Sequence, residues 1–159
     1  MDRETRKKAL RMITYGLYVM TAADGDEVAA GTVNWLSQAS FDPPLIMAGV
    51  KVGSSLHTLI GRTGTFAVNI LAANQQDIAQ AFFGPTRHET GRLNGYAYER
   101  GPATGAPLLL DLPAWFEARV VDRVDRGDHT VFVAEVVGAG VRREATPLVL
   151  WDTPWRYGG

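Results

Sequence analysis

Hydrophobic and polar positions alternate most clearly in the last third of the chain. In AWFEARVVDRV, Phe116, Ala118 and Val120 alternate with Glu117 and Arg119, the period of a half-buried strand with the two charged residues on its wet side. DRGD turns the chain, HTVFVAEVVGAGV returns it, and PLVLW reads as one more strand. Nearer the start, YGLYVMTAADGDE runs into an Asp-Gly-Asp turn, as the first arm of a hairpin does. Its second arm is predicted over Val28 to Gln38. Asp42-Pro43-Pro44 then breaks the chain before LIMAGVK, a short apolar run of buried-strand type, and FAVNIL is another strand.

Helical spacing occurs only in short pieces. Residues 3 to 13 predict an amphipathic helix. In VGSSLHTLIGRTG, Ser54 or Ser55 is placed to cap a helix that puts Leu56, Leu59 and Ile60 on one face, with Gly61 or Gly64 to end it. NQQDIAQAFFG predicts a third helix, capped by Asn74 and stopped by Gly84-Pro85. Residues 85 to 107 show little periodicity and predict a long functional or mobile loop. Strands that do not alternate with helices argue for a mainly β protein. This pattern by itself favours a closed antiparallel barrel over a doubly wound parallel sheet. No repeat or linker divides residues 1–159, so a single domain is expected.

Composition narrows the chemistry. With 46% hydrophobic and 21% charged residues, 17 Gly and 8 Pro, the chain has the make-up of a soluble, turn-rich domain. A formal net charge of −1 gives no reason to expect nucleic acid or an anionic membrane as partner. The basic residues Arg3, Arg6, Lys7, Lys8 and Arg11 read as the solvated face of the first helix. There is no cysteine, which excludes disulfides, thiolate metal sites and cysteine nucleophiles. No apolar run reaches membrane-spanning length, and a cytoplasmic location is expected. His57, His88 and His129 lack metal-ligand spacing, and nucleophile-elbow, P-loop, GxGxxG and HExxH motifs are absent. Chemistry in this chain is therefore expected to reside in a bound cofactor.

Three segments are candidates to hold one. In GTVNWLSQASFDPPL, Thr32, Asn34, Ser37 and Gln38 surround Trp35 with donors suited to the polar edge of a planar ring. The same composition also suits a strand with a core Trp and a polar face. Lys51-Val52-Gly53-Ser54-Ser55 leads from a strand into a helix N-terminus, where free amides, the helix dipole and a lysine suit a phosphate. The alternative is that Ser54 only caps the helix. In DRGDHT, Gly127 serves a tight turn and His129 can be plain strand surface.

Taken in order, YGLYVMT, GTVNWLSQASFDPPL, KVGSSLH, FAVN, GAPLL and GDHT resemble the flavin reductase family of FMN-binding split-barrel proteins, over about residues 10 to 157. The resemblance implies a homodimeric split β-barrel of Greek-key topology that binds FMN, or in some members FAD, near the subunit interface. It implies that Thr32, Val33, Asn34, Trp35, Ser37 and Gln38 line the flavin ring, and that Lys51, Ser54, Ser55 and His57 meet the ribityl phosphate. Gly127, Asp128 and His129 match the turn that holds the nicotinamide dinucleotide, with His129 positioning the nicotinamide. Phe83 and Arg87 match a loop that closes near the cofactor. Asn34 stands where the family often has a small residue, and the tail LWDTPWRYGG has an acidic and a proline position in place of more basic ones.

The implied activity is hydride transfer from NADH or NADPH to flavin, as in the reductase component of a two-component monooxygenase. The YGLYVMT start is also similar to members that keep FMN permanently and exchange electrons with a protein partner. A flavin- or haem-binding barrel without activity is the third reading.

Overall fold

The computed structural model describes all of residues 1–159. Its centre is a seven-stranded antiparallel sheet in the order β2-β1-β5-β10-β11-β4-β3. The strands are β1 (Tyr18–Asp24), β2 (Glu27–Val33), β3 (Leu36–Ser40), β4 (Leu45–Lys51), β5 (Thr65–Ile70), β10 (Ala114–Asp125) and β11 (His129–Val141). The sheet does not close. β2 and β3 are consecutive in sequence yet form its opposite edges, so the barrel is split as the family resemblance implied, not closed as the residue pattern alone suggested.

The single strand predicted over Val28–Gln38 explains how. Its first part pairs with β1 as far as Val33, and its second part pairs with β4 from Leu36. Asn34 and Trp35 carry the chain across the split, where the Gly49 amide donates to the Trp35 carbonyl at 2.9 Å.

β1 is buried on both faces. Met20 packs into one core with Phe66 and Phe132, whereas Val19 packs into a second with Leu71 and Phe82. Helix α2 (Ser55–Thr63) fills the first core with Leu56, Leu59 and Ile60. Ser54 caps it, and Gly64, at φ +70°, ends it by donating its amide N–H to the Ile60 carbonyl. Only glycine adopts that left-handed conformation without strain. The second core lies under α3 (Gln76–Ala81).

Several local expectations shift. Helix α1 is shorter than predicted, Arg3–Leu10, capped by Asp2. Asn74 does not cap α3: Gln75 precedes the helix and spends its side chain on the Ala72 amide and the Asp111 carbonyl. Residues 85–107 are not a structureless loop. They contribute β6 (His88–Glu89), β7 (Arg92–Leu93) and β8 (Tyr96–Arg100), which join β9 (Pro107–Leu109) in a small sheet. Strands of two residues are too short to show a period. PLVLW makes only single bridges, Gly16 to Val149 and Ala72 to Pro147, before a 3-10 turn at Leu150–Asp152.

The alternation in β10 misplaces one residue. Glu117 is fully buried rather than on the wet side. It sits beside an irregularity in the β10–β11 pairing, and its carboxylate accepts hydrogen bonds from the Ala103 amide and from the amide and hydroxyl of Thr104. No helix is long and apolar enough to cross a membrane.

Candidate active site

The split between the sheet edges opens into a cavity of about 570 Å³, within the roughly 300–1,000 Å³ usual for small-molecule sites. Its walls come from the end of β2, the Asn34–Trp35 crossing, the end of β4, the first turn of α2, Phe82–Gly84, His129 and the C-terminal residues. The chain brings these together because β2 is one edge of the sheet, β4 adjoins the opposite edge strand β3, and α2 starts soon after β4.

One end is built for an anion. Lys51, Ser54 and Ser55 all line it. The Ser54 hydroxyl is committed to capping: it accepts from the His57 amide at 3.1 Å and donates to the Lys51 carbonyl at 2.8 Å. The amides of Ser55 and Leu56 find no acceptor within the chain, and they lie at the positive end of the helix dipole. His57 does not line the cavity. Its Nε2 donates to Thr130 Oγ at 2.8 Å, and that hydroxyl donates to Asp125 at 2.7 Å. Paired hydrogen bonds from Arg123, then the bond from Thr130, hold the Asp125 carboxyl down to about 2. His57 thus ties α2 to the β10–β11 hairpin.

The crossing residues Asn34 and Trp35 line the same cavity. Asn34 is only 6% exposed, and neither its Nδ2 nor the Trp35 indole Nε1 has a hydrogen-bond partner, although both are buried. Such groups cost free energy unless a ligand satisfies them. Val33 and Thr32 line the same wall. The Thr32 hydroxyl donates to the Ala79 carbonyl at 2.7 Å, which leaves it only acceptor capacity. Ser37 and Gln38 lie beyond the cavity on the exposed edge strand β3, with the Ser37 hydroxyl donating to the Gln38 carbonyl.

The third wall is aromatic. His129 packs on Trp35 with ring centres 4.5 Å apart. Its Nδ1 lies 2.8 Å from Asp128 Oδ1, and its Nε2 lies 3.0 Å from the Tyr157 hydroxyl. The hydrogen bond from His129, and then its charge, hold the Asp128 carboxyl below the ordinary value. Gly127 and Asp128 shape the turn without lining the cavity. Phe83 lines it, edge-on to Trp155 at 4.8 Å. Arg87 stays outside, with its amide held by Asn94.

Sequence reasoning missed Tyr157, Trp155 and Asn94. The aromatic density of TPWRY was the available signal for the first two. Asn94, at φ +48°, donates to the Ala81 carbonyl and accepts from the Arg87 amide, so it pins both ends of the Phe83 segment. Its neighbours Leu93 and Gly95 gave no hint of that.

The donor set fits a flavin mononucleotide. Asn34 and Trp35, each carrying a buried donor without a partner, line a ring-sized cavity together with Lys51 and the free-amide end of α2.

Known proteins resemble this chain in sequence and fold. The chain is 31% identical over 160 residues to the NADH-dependent flavin reductase StyB of Pseudomonas fluorescens, covering 100% of this chain and 91% of that one. It is 32% identical over 133 residues to an NADH-dependent flavin reductase of a Rhodococcus species, covering 82% of this chain and 72% of that one. A probable flavin reductase of Rhizobium meliloti is longer, and the chain spans 42% of it. Among solved structures, BorF, the flavin reductase component of a bacterial two-component tryptophan halogenase, superimposes with a TM-score of 0.79 at 32% identity, covering 92% of this chain and 91% of BorF. The styrene monooxygenase flavin reductase of Pseudomonas putida S12 gives 0.75 at 30%, covering 91% and 90%. A family model described as flavin reductase like domain matches residues 10–158. The chain belongs to the flavin reductase-like domain family.

Proposed function

We propose that the protein is an NADH-dependent flavin reductase that binds FMN in the split of its barrel and supplies reduced flavin to a monooxygenase partner. The observation that carries this reading is the pair of buried, unpartnered donors, Asn34 Nδ2 and Trp35 Nε1, on two residues that line a cavity shared with Lys51 and the start of α2. The chemistry supplied by a bound flavin is acceptance of a hydride from reduced nicotinamide and its onward delivery as electrons. Asn34 and Trp35 donate to the polar edge of the ring. Lys51 and the α2 amides hold the phosphate. His129, Trp35 and Phe83 wall the space in which the nicotinamide is stacked, so the chain's part is orientation rather than acid or base catalysis. Relatives named as NADH-dependent support NADH as the donor, and NADH supply favours work in the cytoplasm. BorF is the reductase component of a tryptophan halogenase, and the Pseudomonas putida protein is the flavin reductase of styrene monooxygenase; the second supports a monooxygenase partner.

A homodimer belongs to the same reading. Met47 and Val131 are 43% and 37% exposed and lie on the same outward face of neighbouring strands, beside Gly49 and the cavity. A second copy laid on that face covers both the apolar strip and the mouth of the site. Sedimentation of the FMN-loaded protein is expected to give the mass of two chains; a monomer that holds FMN tightly removes the dimer.

The function is tested by an anaerobic visible spectrum of the FMN-loaded protein before and after NADH is added. Bleaching of the flavin within the mixing time is expected. A flavin that stays oxidised makes the protein an FMN electron carrier instead.

A further inference from the structure

The three C-terminal residues are laid across the nicotinamide wall and held there. Arg11 Nε donates to the Gly158 carbonyl at 2.9 Å. Gly158 has φ +97°, and a Cβ there would lie 3.3 Å from the Trp35 ring, so glycine is what lets the strand of chain press against the indole. Tyr157 is thereby set edge-on to Trp35, with ring centres 5.2 Å apart, and remains 46% exposed.

The hydrogen-bond directions along this wall follow in order. The Asp128 carboxylate is ionised and accepts only, so His129 Nδ1 carries the proton. When the imidazole carries that single proton, its Nε2 is an acceptor and the Tyr157 hydroxyl, 3.0 Å away, donates to it. Burial, then the charge of Asp128, push the Tyr157 phenol up, which keeps that proton in place. Both nitrogens of His129 are engaged. On the cavity side, the free polar capacity of the chain Asp128–His129–Tyr157 is the lone pairs of the phenol oxygen, because Asp128 does not line the cavity.

We infer that Tyr157 Oη, oriented as an acceptor by His129 and Asp128, receives the carboxamide N–H of the reduced nicotinamide. Tyr157 is then the direct contact, and His129 is a positioning residue that acts through it. This rests on the flavin reductase reading and adds to it the atom that recognises the donor.

The test compares NADH with its reduced 3-acetylpyridine analogue, whose methyl ketone has no N–H to donate, on wild-type protein and on Tyr157→Phe. The phenylalanine keeps the ring on Trp35, and an unchanged circular dichroism spectrum checks the fold. For the wild type, KM is expected to be about tenfold higher for the analogue than for NADH, the scale of one lost hydrogen bond. In Tyr157→Phe, KM for NADH is expected to rise by a similar factor, with no further penalty for the analogue and FMN affinity unchanged. An analogue penalty that persists in full in Tyr157→Phe overturns the contact while leaving the reductase intact. A wild-type protein that oxidises no NADH overturns the reductase reading and the inference together.

Discussion

Replacing Asn34 with leucine is expected to stabilise the flavin-free protein by about 1 kcal/mol and to weaken FMN binding about tenfold or more. The two effects have one cause. Asn34 Nδ2 is buried without a partner, and an unsatisfied buried donor costs about 1–3 kcal/mol in the folded state. Leucine has the same branching and number of heavy atoms and has nothing to satisfy, so the penalty disappears from the free protein. The same change removes a donor that FMN would otherwise meet on binding. Urea unfolding without flavin and a fluorescence titration with FMN read the two halves separately. Loss of stability, or unchanged FMN affinity, would show that Asn34 is a core residue whose orphaned amide has no bearing on the ligand. Stability given up at a binding site is a common arrangement, and here a single atom carries it.

Glu117→Ala is expected to cost about 3 kcal/mol of stability, which is roughly 10 °C in melting temperature for a chain of this size. The Glu117 carboxylate is fully buried and holds the 101–105 turn through the Ala103 amide at 3.1 Å, the Thr104 amide at 2.8 Å and the Thr104 hydroxyl at 2.7 Å. Truncation leaves those donors facing a hole. Gly101 and Gly138 exist to make room for this carboxylate, since a Cβ on either would collide with it. Glu117→Gln is expected to recover part of the loss, because its carbonyl oxygen can take the Oε1 place beside Thr104 while its NH2 faces the Ala103 amide. Glu117 lies away from the cavity, so FMN affinity measured well below the melting temperature should hold. A loss under about 1 kcal/mol in denaturant unfolding would mean that solvent replaces the carboxylate at little cost.

The β class, the α2 helix with its Ser54 cap, the β10–β11 hairpin and the family itself were legible in the chain. Each is encoded within a few residues: an alternation, a capping serine before an apolar face, a turn rich in Asp and Gly, and motifs whose spacing is specific. Lys51, Ser54 and Ser55 line the cavity together, because strand, turn and helix start are contiguous and must meet. Ser37 and Gln38 lie outside it, although they are only a few residues from Trp35. The chain changes rims at Asn34–Trp35, and nothing local marks a strand that leaves one edge for the other.

What the sequence determined by itself is the set of elements and the kind of protein they make, since periodicity and caps report on short-range burial. The tertiary structure alone decided which residues share the cavity. It turned His57 toward Thr130, buried Glu117 against a turn, orphaned the two donors at the split, and set Tyr157 on His129 from 28 residues away. Those outcomes depend on how a twisted sheet brings its rims together. That curvature is a sum over all seven strands, and no segment of the chain carries it alone.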